Sequence, residues 1–211
     1  MSRRKTSPLS ESEYASEAGA ARRRVISRID PTFEFFTPEA AARVILFPTG
    51  VHYGLDESQF RALATAARAV GEDDGFYLSL IERSASTDEA QDWWVDFDDY
   101  EGYFYADAGS SETLHHSRAG SWAILALQSQ QLAVGGSSAF VEALTTAWPT
   151  QLWGDAIYAP DRQVEAFLGW LATVGIREVV MRWLPSFLAH MYGPESGQKL
   201  IGQYASFGVH S

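Results

Sequence analysis

The sequence predicts an α+β fold: a curved antiparallel sheet with helices on one face and a helical C-terminal segment packed on the same core. Three observations carry this. Short β-rich runs follow one another between residues 75 and 136 with only short links, and such strands pair antiparallel. Apolar residues recur at a spacing near 3.6 after Asp56, after Ser137 and through much of the C-terminal third. The element order is strand, helix, several strands, helix, then two or three helices, which segregates the two classes.

Residues 1–28 are rich in Ser, Ala, Glu and Arg and poor in large apolar side chains. They read as a disordered basic tail, with a transient helix across Glu11–Arg24. Phe33, Phe35 and Phe36 open an α+β domain spanning 29–149. Val44–Phe47 is a strand stopped by Pro48 and Gly50. Asp56 or Ser58 caps a helix with Phe60, Leu63, Ala64, Ala67 and Val70 on one face, ended by Gly71. Gly75–Glu82 alternates as a strand, Phe76 and Leu78 on one face, Tyr77 and Ser79 on the other. Trp93–Phe97 and Tyr103–Tyr105 read as further strands joined through Asp98–Gly102. Ser121–Leu127 is a strand with Gln131–Val134 as its return, closed by Gly135-Gly136. Ser137 or Ser138 then caps a helix through Phe140, Val141, Leu144 and Ala147 that ends before Pro149. Residues 150–211 read as helical. Asp161 caps a stripe of Val164, Phe167, Leu168, Leu171 and Val174 that Gly175 stops. Ile176–Leu184 resumes, and Pro185 either kinks this helix or starts a new one through His190 and Tyr192.

A hydrophobic content of 46% and an aromatic content of 13% are enough for a real core. The chain has no Cys, which excludes a disulfide framework, a thiol nucleophile and Cys-based zinc sites. No apolar region follows Arg3, Arg4 and Lys5 as in a secretory signal, and no run approaches the ~20 apolar residues that span a bilayer. The expectation is a cytoplasmic protein without a membrane span.

Charge is segregated. Residues 1–28 hold seven bases against three acids, and residues 29–211 hold nine against twenty-four. Within 72–112 there are thirteen carboxylates and one base, Arg83. Such a body repels nucleic acid and favours a basic protein partner. In 93-WWVDFDDYEGYFY-105 large aromatic rings stand among the acids. The candidate partner-binding residues are Asp92, Trp93, Trp94, Asp96, Asp98, Asp99, Tyr100, Glu101, Tyr103 and Asp107. Adjacent Trp93 and Trp94 on one strand face opposite sides, so one faces outward among carboxylates and is a candidate hot spot.

Two other readings stand beside this. The Asp92–Glu101 cluster, with His115 or His116, has the oxygen and nitrogen ligands of a metal-assisted transferase or hydrolase. Adjacent histidines on one strand point apart, and Asp96-Phe-Asp98 is too short a motif to be specific. Ser121 and Ser137 lack a nucleophile-elbow pattern. Alternatively, the basic arm of one copy pairs with the acidic body of another in a homo-oligomer. No residue pattern calls for a cofactor, and a binding role stands ahead of an enzymatic one.

A Ser-Trp-x-Ile-Leu segment leading through a turn to Val-Gly-Gly and a Phe-Val-x-Ala-Leu helix is present as Ser121, Trp122, Ile124, Leu125, Val134, Gly135, Gly136, Phe140, Val141, Ala143 and Leu144. Across about Val44–Pro149 the chain resembles small acidic bacterial immunity-type proteins of polymorphic-toxin systems. The resemblance rests on hydrophobic and turn positions and carries no functional residue over. It implies an inhibitor that occludes a basic toxin or enzyme.

Overall fold

The computed structural model describes residues 5–27, 35–46, 54–81, 91–107, 112–127, 131–153, 156–158, 162–175 and 177–207. Phe33, Phe47, Pro48, Gly50, Glu82, Arg83, Asp161 and Ile176 lie outside them. Strand β1 is Ser7–Pro8. A helical turn at Glu11–Glu13, a π-helical stretch at Tyr14–Ala18 and a helix at Gly19–Val25 follow in one run, together α1. Then come β2 (Ala42–Leu46), α2 (Glu57–Ala69), β3 (Gly75–Leu80), β4 (Asp92–Asp96), α3 (Tyr100–Asp107), β5 (Thr113–Ser117), β6 (Trp122–Leu127), β7 (Gln131–Gly136) and α4 (Ser138–Ala147). A hairpin of β8 (Gln151–Trp153) and β9 (Ala156–Tyr158) leads to α5 (Gln163–Val174), α6 (Arg177–Tyr192) and α7 (Pro194–Ser206).

The fold is α+β. Seven strands form one antiparallel sheet in the order β1-β4-β3-β5-β6-β7-β2. Alternation along each strand sorts its side chains into two layers. Phe76, Leu78, Val95, Trp122, Ile124, Leu132 and Val134 enter one layer with Phe60 and Leu63 of α2 and Phe140 and Leu144 of α4. Ile45, Leu114, Ala123, Leu125 and Ala133 enter the other, with Phe167, Leu184, Phe187 and Ile201 of the C-terminal helices. Helices α2 and α4 cover one face, and the C-terminal helices with α1 cover the other. The central strands β5, β6 and β7 are buried along their whole length because each face has a cover.

Local signals explain several elements. Asp56 caps α2 by accepting the Gln59 N–H, and Gln59 returns a bond to the Asp56 N–H, a capping box. Gly71 ends the turn at φ +86°, a conformation open to glycine. Ser137 caps α4 by accepting the Phe140 N–H at 3.2 Å. Helix α6 runs through Pro185 without a break. Among the described residues no helix is long and apolar enough to cross a membrane.

Three sequence expectations are corrected. Residues 5–27 are folded onto the sheet. Ser10 and Glu13 form a capping box, and small Ala18 and Ala21 bring α1 close enough to cover Tyr77 and Trp94. Val25 and Ile26 then enter the large core. The arm has few large apolar residues because the sheet beneath supplies them. Tyr103–Tyr105 is helical, since Asp99 accepts the Gly102 N–H at 3.0 Å and starts α3 there. Residues 151–153 and 156–158, expected to be helical, are the paired strands β8 and β9.

Both sheet edges are blunted. At β2 the outward Ile45 N–H donates to Tyr192 Oη at 3.0 Å. At the far side β1 is two residues long and includes Pro8.

Candidate protein-binding site

The acidic and aromatic stretch occupies β4, a turn at Phe97–Asp99, and α3. On β4 the two tryptophans diverge as the strand period requires. Trp93 is half-buried against the α2 and α4 layer. Trp94 faces the other way but is 4% exposed, because α1 lies over it. It meets Tyr77 edge-on at 5.4 Å. The outward tryptophan expected as a hot spot is thus covered by the protein's own N-terminal helix.

The carboxylates of this stretch have separate local roles. Asp92 accepts from Ser79 Oγ at 2.6 Å. Asp96 is buried and accepts the Asp98 N–H at 2.9 Å. Asp98 pairs with Arg68 at 2.6 Å on the surface, an exposed ion pair worth ~1 kcal/mol at most. Asp99 caps α3. Glu101 is exposed on the first turn. Among the described residues no group of three or more His, Cys, Asp or Glu side chains is placed to hold one metal ion.

Helix α3 has two faces. Tyr103 and Ala106, three residues apart, turn inward. Tyr103 is fully buried and lies against Phe60 at 5.0 Å. Tyr100 is half-buried against the same ring at 5.5 Å. The opposite face carries Glu101, Phe104 and Tyr105. Phe104 is 45% and Tyr105 69% exposed, with their rings edge-on at 6.1 Å. These two aromatics escape a strand reading of 103–105. Helical spacing from Tyr103 to Ala106 is the signal that turns them outward.

The buried half of this region is polar. Asp107 Oδ2 accepts from Tyr103 Oη at 3.2 Å, and Tyr103 Oη lies 3.1 Å from His115 Nε2. Burial raises Tyr103 well above the ordinary phenol range. Burial also pushes the Asp107 carboxyl up to about 6, against a smaller opposing effect of Tyr103 and nearby Thr113. His115 and His116 point to opposite faces. His116 contacts Tyr77 at 5.3 Å on the α1 side, and His115 meets Phe76 at 5.6 Å on the α2 side. Burial lowers His115 to about 4 and His116 to about 3. Neither is placed to join the Asp92–Glu101 carboxylates in one site.

These shifts set a sign for pH dependence. Both imidazoles have folded pKa values below their unfolded ones, so each contributes stability at neutral pH that is lost as pH falls from about 6.5 toward 3. Asp107 acts oppositely between about 6 and 4, and two histidines outweigh one carboxyl. Stability of wild type at about pH 4.5 is expected to fall relative to pH 7. His116→Gln should reduce that fall by about 2–3 kcal/mol. Urea midpoints at the two pH values measure it, and equal falls in both proteins would contradict the assignment.

Comparison with known proteins returns no matching family model, no matching curated protein and no matching solved structure.

Proposed function

We propose that the chain is an acidic protein-binding module, and that its partner is a basic protein, in the manner of an immunity-type inhibitor occluding a toxin or enzyme. The observation that carries this is the outer face of α3, where Phe104 and Tyr105 stand exposed beside Glu101, one turn from Asp98 and Asp99. Exposed adjacent aromatics rimmed by carboxylates combine anchors with electrostatic steering. The surface differs from the residues read in sequence. Trp94 and Asp96 are buried, Trp94 under α1 on the other face of the sheet; buried Tyr103 supports the surface from beneath, and Phe104 and Tyr105 join it. Half-buried Asp107 and buried His115 join it from beneath through Tyr103.

Glu101 provides the charge test, because it is exposed and its removal leaves the α3 cap and the Arg68 pair intact. With a basic partner in hand, Glu101→Gln should slow association severalfold at low salt and weaken its salt dependence, with little change in dissociation. Stopped-flow association at two ionic strengths measures this. An unchanged rate at both would remove the steering role of this face.

A further inference from the structure

Beneath the exposed face of α3 lies a hydrogen-bond chain that the binding role leaves unexplained. Asp107 Oδ2, Tyr103 Oη and His115 Nε2 are linked in sequence at 3.2 and 3.1 Å, and the Leu55 N–H donates into Tyr103 Oη at 2.8 Å. The chain backbone is pressed against it. A Cβ at Gly54 would fall 1.7 Å from Asp107 Oδ2. Asp107 Oδ1, His115 Nδ1 and Thr113 Oγ1 are buried without a hydrogen-bond partner.

A phenol has one hydrogen, and here two acceptors flank it. The chain therefore has two orders. With Asp107 ionised, Tyr103 donates to the carboxylate, and His115 donates from Nε2 to the phenol oxygen. With Asp107 neutral, the carboxyl donates to the phenol oxygen and Tyr103 donates to His115 Nε2. The imidazole hydrogen then sits on Nδ1. One proton added at Asp107 reverses the chain and exchanges the neutral tautomer of His115. The ionised order leaves a charged carboxylate with one oxygen buried and undonated, at the C-terminal end of α3 where the helix dipole disfavours negative charge.

We infer that Asp107, Tyr103 and His115 form a proton-operated latch: a proton at Asp107 tightens the last turn of α3 against β5 and Leu55, and its loss loosens the turn that carries Phe104 and Tyr105. The raised Asp107 carboxyl, about 6 through burial, puts the change near neutrality. The folded turn prefers the neutral acid, so the hold is strongest below about pH 6 and weakens as pH rises through it. Among the described residues, the other titratable groups on this side are Tyr100 of α3 and Asp56 and Glu57 at the start of α2, which act on Tyr100 together with Asp107. From β5 the facing group is His115. The bearing of the latch on partner binding rests on the docking role of α3; the latch itself is readable without a partner.

The test is an NMR titration of the full chain from about pH 4.5 to about pH 7.5. The expected result is one midpoint shared by the Asp107 carboxyl and the His115 ring nitrogens. His115 should pass from the Nδ1–H to the Nε2–H form as pH rises, neutral throughout the upper part of the range. Amide protection at residues 104–107, corrected for intrinsic exchange, should fall across the same midpoint while α2 stays unchanged. In Asp107→Asn the midpoint at His115 should disappear. If that variant does not fold, Tyr103→Phe serves, with Asp107 still titrating and His115 no longer following it. His115 nitrogens that ignore the Asp107 titration, an Asp107 in the ordinary carboxylate range, or α3 protection that is flat with pH would each overturn the latch. A latch confirmed in a protein whose α3 variants bind normally would leave it standing and remove only its link to docking.

Discussion

Replacing Trp122 by alanine is expected to lower stability by about 3–5 kcal/mol. Trp122 is fully buried in the layer between the sheet and α4. Its ring stacks on Phe140 at 4.8 Å and 4° and lies 6.1 Å from Phe76. The space is tight: a Cβ at Gly136 would fall 2.8 Å from Trp122 Cβ. A site of this kind cannot collapse around a missing indole, so the cavity remains. Trp122→Phe should cost clearly less, because it retains a ring on Phe140 and removes an indole N–H that is buried without an acceptor. Urea unfolding of the two variants measures the difference. A loss below about 1 kcal/mol for the alanine variant would mean that this layer is not the core.

Deleting residues 1–27 is expected to have an effect of the same order or larger, roughly 5 kcal/mol. The arm was read in sequence as a solvated tail, and the structure makes it a cover. Its loss exposes Trp94 and Tyr77 and removes Val25 and Ile26 from the large core. It also breaks the Tyr77 Oη bond to Glu17 at 3.0 Å and the Asp96 N–H bond to Thr6 Oγ1 at 3.2 Å. The uncovered edge of β4 is then a template for strand pairing, so the truncated chain should also self-associate. Chemical denaturation with sedimentation of the truncated protein checks both. A monomer of unchanged midpoint would show that the arm is dispensable.

The parts of the fold that were legible in sequence are those decided locally. Asp56 with Gln59 fixes the start of α2, Ser137 fixes that of α4, and the alternation of Phe76, Tyr77 and Leu78 fixes the two faces of β3. Trp93 and Trp94 diverge as the strand period demands. The unread parts are decided by neighbours distant in sequence. Thr113–Ser117 carries two adjacent histidines and little apolar alternation, yet it is a central strand, because β3 and β6 pair with it on both sides. Tyr103–Tyr105 has strand composition but lies after an Asp99 cap and buries a ring against Phe60, which favours helix. The acid cluster also looked uniform in sequence. In the fold it divides into an inward hydrogen-bonded part at buried Asp96 and half-buried Asp107 and an exposed part at Asp98 and Glu101, a division set by which side of the chain meets the sheet.

We propose the outer face of α3 as a docking surface for a basic protein. Its most direct test is affinity capture from host lysate, comparing wild type with Phe104→Ala/Tyr105→Ala. A Val179→Ala/Phe207→Ala variant is the control, since those side chains are also exposed but lie on α6 and just beyond α7. The account predicts a basic protein captured by wild type and by the control, lost from the α3 variant, and inhibited in its own activity by the purified wild-type chain. Equal capture by all three, or loss from the control alone, would contradict it.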